Sequence, residues 1–587
     1  MIRILPAIAL TGLALTMNLA AQTDAAGASP TPAATPALTA ADIARQSTIL
    51  TKPLRNDSQL KLPRAPEGFR WSIVSTSPAG IIANDGKITR PAKDTPVAVT
   101  LKLENEKDPA DSAGMVLTVP IDKPYVAPVV NEDKVQAAKD RYERQKYGLF
   151  VHYVPGLTAD TNGQRLDIDT LSQTFDAAQF AQDAADFGVE YVIFTVMHLK
   201  ARMLYPSEAN KRWRDERRMP VEEGKKPESK SYADDDLIDR LATELAKRNI
   251  DLHLYVHPVD GHDFSKEDQE ITGWNDCDVT KDDHERWNDF QNELFDELVK
   301  RYQGRIKGLW FDGMFRHTLK KPSHNMIDQE RFRETLLAYD PTLVLVANVA
   351  SDRRPDPSPE WRAADYRAYE VSRVRDGGLG FVGINRDATE EDSSTWPATR
   401  NQIAMIIASN WWAQNKKSMV RQTPENLFRY IVHQASLSTH GGFAMSAGCF
   451  PGTAAENTNG NIWEGDFHPT MLRINELIKP VAIAVKDTRP GKAYTTKERE
   501  WFGQREWGVS TESPDGKTIY LHVMIPPAGQ TLKLGPTEDG SELTGPATLV
   551  ATGKPVSLKK TAAGYEITLP AGTAWDPLNT VIAVRRR

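Results

Sequence analysis

The chain has 587 residues, a net charge of −7, 26% charged residues and 40% hydrophobic residues. A chain of that length is too long for a single hydrophobic core, so several domains are expected. The mildly acidic balance has no basic block, which argues against nucleic acid as a partner, and beyond the N-terminus no apolar segment is long enough for a membrane span.

Residues 1–21 carry Arg3, an apolar run from Ile4 to Leu15, and small residues at Ala20 and Ala21. This is the pattern of a secretory signal peptide, which predicts export to the periplasm or the extracellular space. Residues 22–46 are rich in Ala, Thr and Pro and read as a linker. The chain has only Cys277 and Cys449, which is no disulfide framework and matches no zinc-ligand spacing.

Residues 47–124 contain short, partly alternating runs (Phe69 to Val74, Val97 to Leu103, Met115 to Val119) separated by Pro, Gly and Asn84-Asp85-Gly86. The spacing predicts a small antiparallel β-sandwich. Its segments Trp71 to Ser75, Gly80-Ile81-Ile82 and Asp85 to Pro91 resemble the bacterial immunoglobulin-like modules attached to polysaccharide-degrading enzymes.

From 133 to 485 the pattern changes to strands alternating with helices. Apolar runs at Tyr147 to Tyr153, Val189 to Val196, Ile250 to Val256, Ile306 to Phe311, Thr342 to Ala347 and Phe443 to Ser446 are interleaved with helical spacing at Asp176 to Phe187, Asp234 to Asn249 and Asp282 to Tyr302. Repeated βα units predict a parallel sheet, and this many predict a closed (β/α)8 barrel with loop insertions, of which the polar stretch Arg212 to Ser231 is the clearest. Residues 486–587 lose the helical period and predict a second antiparallel β-sandwich.

Strand C-terminal ends carry the chemistry of such barrels. Here they present His152 and Tyr153, His198, His257, Asp312, Asn348 and Glu370. Two chemistries suit the cluster. A metal hydrolase would need His and Asp ligands around one ion, but no His-x-His or His-Glu-x-x-His occurs, and His253 and His257 stand roughly 13 Å apart along a strand. No metal or other cofactor is therefore expected. Glycoside hydrolysis needs paired carboxylates on separate elements, about 5 Å apart in a retaining enzyme.

The run Lys146-Tyr147-Gly148-Leu149-Phe150-Val151-His152-Tyr153 resembles the first-strand motif of glycoside hydrolase family 29, the α-L-fucosidases. So do Phe175-Asp176 through Phe187 to His198, Asp236-Leu237-Ile238 through Tyr255, Trp310-Phe311-Asp312-Gly313, Ser394-Thr395-Trp396 to Trp412, and the closing sandwich entered through Asp487-Thr488-Arg489-Pro490. The resemblance implies Asp312 as the nucleophile and His152 and His198 as sugar-binding histidines. Tyr153, His257 and Trp396 are further candidates for substrate binding. The acid/base sits at variable positions in the family; Glu370 is the candidate, with Glu360, Glu390 and Glu391 as rivals. The implied partner is a fucose-containing or related glycan.

Two motifs depart from the family. The first-strand His is followed by Tyr153-Val154 rather than Trp-Gly, and the usual His-His-Asp-Gly-Phe reads His198-Leu199-Lys200-Ala201-Arg202. The change leaves open a different sugar, an acidic glycan facing Lys200 and Arg202, or a barrel that binds glycan without hydrolysing it. Trp411, Trp412 and Trp463 are expected in the core.

Overall fold

The computed structural model describes residues 39–46, 50, 53, 58–60, 62–63, 65–124, 128–218, 228–258, 261, 263–274, 284–312, 329–351, 364–371, 373–374, 381–382, 401–405, 411–413, 419–420, 422–458, 460–496 and 507–587. The signal-peptide pattern, Trp396, Cys277 and the rival carboxylates Glu360, Glu390 and Glu391 lie outside these residues.

Eight parallel strands close into a barrel in simple chain order: Tyr147–Val151, Tyr191–Thr195, Asp251–Val256, Gly308–Phe311, Val344–Ser351, Tyr366–Val371, Asn401–Met405 and Phe443–Ser446. The eighth closes on the first through Phe443 opposite Tyr147 and Ser446 opposite Phe150. The first, second and fourth strands are buried at every position, as strands covered on both faces must be, and this is why they read as continuous apolar runs.

Alternate residues fill the barrel. Phe150, Tyr191, Ile193, Tyr255, Trp310, Val344, Val346, Ala368 and Ala444 form an inner core. Leu149, Val192, Phe194, Leu254, Leu309, Phe311 and Leu345 point outward into the helical layer. Gly148 belongs to the inner set because a Cβ there would lie 2.4 Å from the Tyr191 ring. The helix Glu132–Arg144, capped by Asn131 Oδ1 accepting from Lys134 N, closes the bottom of the barrel by placing Ala138 and Tyr142 in that core.

Helices follow the first four strands and the last two: Ala177–Phe187, Leu237–Ala246, His284–Arg301, Gln329–Tyr339, Pro424–Leu437 and Phe467–Ile478. Asp176, Asp236 and Thr423 cap three of them, and Gly188 ends the first in the left-handed conformation at φ 72°. Among the described residues no helix follows the fifth or sixth strand, so the expected alternation is incomplete there.

Among the described residues, 69–121 hold a three-stranded antiparallel sheet in sequential order, with isolated bridges Gln59–Lys87 and Ile82–Ile88 beside it. The end of the expected linker is a helix, Ala40–Gln46, whose Ala40, Ile43 and Ala44 pack on that sheet. Thr39 starts it by accepting from Asp42 N through its hydroxyl. The C-terminal strands are all antiparallel and join eight strands in one hydrogen-bonded order around a shared core.

Candidate active site

The polar strand ends meet at the C-terminal mouth of the barrel. His152 directly follows the first strand, His257 the third and Asp312 the fourth, while Asn348 lies in the fifth. Strand alternation continues the inner face upward, from Phe150 to His152, Tyr255 to His257, Trp310 to Asp312 and Val346 to Asn348.

Asp312 is held by two donors. Tyr255 Oη donates to its Oδ2 at 2.5 Å, and Asn348 Nδ2 donates to Oδ1 at 2.9 Å. Hydrogen bonds to an ionised acceptor are the strong ones, so both oxygens of this half-buried carboxylate have fixed directions. Tyr255 is itself clamped: its ring stacks on Trp310, with centroids 5.4 Å apart at 21°. Sequence reasoning did not single out Tyr255. The signal was the parity of the third strand, where 253, 255 and 257 share one face.

The rings at the mouth form a continuous wall. His152 lies 4.6 Å from Tyr255, 5.5 Å from His198 and 6.0 Å from Trp411 between centroids. His198 stacks on His257 at 5.4 Å and 13°. Burial, and then the neighbouring imidazoles of His198 and His257, hold His152 well below the usual histidine range, so it is neutral at physiological pH. Trp411 thus joins the wall instead of the core, whereas Trp463 is core, its indole N–H donating to Asp183 Oδ2 at 2.7 Å.

Other candidates fall elsewhere. Tyr153 was expected to bind substrate, but alternation turns it outward: it is fully buried against Phe175 and Phe194, and its hydroxyl donates to Leu171 O at 2.9 Å. His253 lies deep in the barrel against Tyr142 and Tyr191, where burial lowers it to about 4. Glu370 stands in the sixth strand, its backbone in register with Ser351 and Ile403. Among the described residues no three His, Cys, Asp or Glu side chains are placed to hold one metal ion.

The altered motif after His198 makes a tight hairpin, with Met197 and His198 paired to Met203 and Arg202. Its turn residues Leu199, Lys200 and Ala201 have φ of 33°, 59° and 45°. Each L-residue in that region costs about 1–2 kcal/mol, so surrounding bonds must hold the turn. Lys200 Nζ pairs with Glu228 Oε1 at 2.6 Å, and Arg202 donates to Pro155 O at 3.3 Å and to Ser229 Oγ. Both cations thus bond to the framework around the turn.

A family model described as α-L-fucosidase matches residues 167–437, a span that holds the second to seventh barrel strands with His198, His257, Asp312, Asn348 and Glu370. No curated protein matches the chain. Among solved structures, a family 29 α-L-fucosidase from Bacteroides thetaiotaomicron, crystallised as a trapped covalent intermediate, is 18% identical with a TM-score of 0.52, over 79% of this chain and 98% of that one. α-L-Fucosidase isoenzyme 1 from Paenibacillus thiaminolyticus is 16% identical with a TM-score of 0.50, over 77% of this chain and 100% of that one. The α-L-fucosidase from Vibrio sp. strain EJY3 is 16% identical with a TM-score of 0.50, over 78% and 73%. These likenesses are of fold. The family-model match makes residues 167–437, most of the barrel, similar to the α-L-fucosidase family of glycoside hydrolases.

Proposed function

We propose that the protein is an exported, retaining exo-glycosidase that hydrolyses α-L-fucosides or a related deoxy-sugar glycan. The observation that carries the reading is Asp312: a carboxylate at the end of the fourth strand, oriented by Tyr255 and Asn348 and walled by histidine and aromatic rings. Asp312 attacks the anomeric carbon as the aglycone leaves, forming a glycosyl–enzyme ester. Glu370 is the candidate acid/base, giving its proton to the leaving oxygen and then taking one from the water that opens the ester. It lies in the sixth strand, two positions beyond Ala368.

His152, His198 and His257 supply hydrogen bonds to sugar hydroxyls, and the apolar faces of Tyr255 and Trp411 suit the carbon face of a deoxy sugar. Export rests on the N-terminal pattern. A barrel that only binds glycan would gain nothing from a carboxylate held by two donors, which favours catalysis over the binding reading. The test is release of fucose from an aryl α-L-fucoside by the purified protein, with Asp312→Asn as its inactive control. Equal turnover by the variant, or none by the wild type, would refute the proposal.

A further inference from the structure

The bonds behind the mouth histidines specify which ring nitrogen carries the proton. Leu199 N donates to His198 Nδ1 at 2.9 Å. A backbone N–H can only donate, so Nδ1 is an acceptor and the proton of a neutral His198 sits on Nε2. At His152 the order reverses. Its Nδ1 lies 2.8 Å from Thr195 Oγ1, and that hydroxyl lies 3.2 Å from Val151 O. A carbonyl only accepts and a hydroxyl has one proton, so both contacts are hydrogen bonds only when Thr195 donates to Val151 and accepts from Nδ1–H.

We infer that the chain fixes its two mouth histidines in opposite tautomers: His198 presents Nε2–H as a donor, and His152 presents Nε2 as an acceptor. The two rings are neighbours, with centroids 5.5 Å apart, so the donor and the acceptor belong to adjacent rings. That suits two neighbouring hydroxyls of one sugar, one accepting and one donating. This ligand assignment rests on the glycosidase reading above, whereas the tautomers do not.

Positioning residues hold each histidine. Thr195 sets His152. For His198 the device is the left-handed turn, which aims the Leu199 N–H back at the ring that precedes it. Its carbonyls are tied by buried donors: Arg214 Nη1 to Lys200 O at 2.6 Å and Asn210 Nδ2 to Ala201 O at 2.8 Å. Asp263 Oδ1 accepts from Lys200 N at 3.0 Å. Arg214 is in turn fixed by the fully buried Asp268 at 2.5 Å, which also binds Arg218. The Leu-Lys-Ala sequence that departs from the family motif is thus built into a scaffold for the histidine before it.

The test is nitrogen-15 NMR of histidine-labelled protein at mildly alkaline pH, with His152→Gln and His198→Gln to assign the two rings. His198 protonated at Nε2 alone and His152 at Nδ1 alone are expected. The opposite tautomer or a mixture at either ring would overturn the inference. Thr195→Val is expected to release the His152 tautomer and to lower kcat/KM on the aryl α-L-fucoside about tenfold, with Thr195→Ser restoring both. An unchanged His152 tautomer in Thr195→Val would overturn the role given to Thr195. Absence of turnover by the wild type would sink the glycosidase reading alone, since the spectrum still decides the tautomers.

Discussion

Tyr255 Oη lies 2.5 Å from Asp312 Oδ2, and the two residues come from adjacent barrel strands whose register sets Tyr255 opposite Trp310. Removing the hydroxyl while keeping the ring isolates this bond. Tyr255→Phe is expected to keep its stacking on Trp310 and to lower kcat about 10- to 100-fold, the range for a bond to a charged group. Steady-state kinetics that matched the wild type would show that the bond does not orient the nucleophile.

Asn348 holds the other oxygen at 2.9 Å. Asn348→Ala is expected to cost about tenfold in kcat/KM. Because both donors act on one carboxylate, the double variant with Tyr255→Phe should depart from the product of the single effects. Strict multiplicativity in that double-mutant cycle would contradict a shared role.

Three buried histidines tie stability to pH. Burial lowers His253 and His522 to about 4 and His152 well below its usual value. In the unfolded chain each titrates near pH 6.5. Between about pH 6.5 and 4 the unfolded state therefore binds more protons than the folded one, and stability falls as pH falls through that window. The depression of His253 alone corresponds to something on the order of 3 kcal/mol once the window is crossed. Thermal unfolding followed across it should show a shallower acid slope for His253→Leu than for the wild type, and parallel curves would refute the linkage.

Asp268 is fully buried between Arg214 and Arg218, at 2.5 and 2.7 Å. Replacing it with Asn leaves the buried Arg214 guanidinium without its anion, a loss of about 3–5 kcal/mol for a broken buried pair. Urea unfolding should show this loss, along with a weakened hold on the His198 hairpin. A change under 1 kcal/mol (roughly the value of an exposed pair) would mean that solvent reaches the site.

Much of the barrel was legible because strands buried on both faces leave apolar runs, and because capped helices between them leave their own period. His152, His198, His257 and Asp312 were visible as polar residues closing such runs. Tyr153 follows His152 in sequence, but alternation sends neighbouring residues to opposite faces, so the two do not share a role. Thr195 and Arg214 were not found, since their roles depend on partners brought together only by folding. At both ends, alternation reveals strands but not whether they pair into one sheet or two.

The central claim is that Asp312 forms the covalent bond to the sugar. The measurement is intact-protein mass spectrometry after incubation with 2-fluoro-fucosyl fluoride, followed by peptide mapping. The account predicts a mass increase of one fluorofucosyl group on the peptide that contains Asp312, absent in Asp312→Asn. No adduct, or an adduct on another residue, would contradict it.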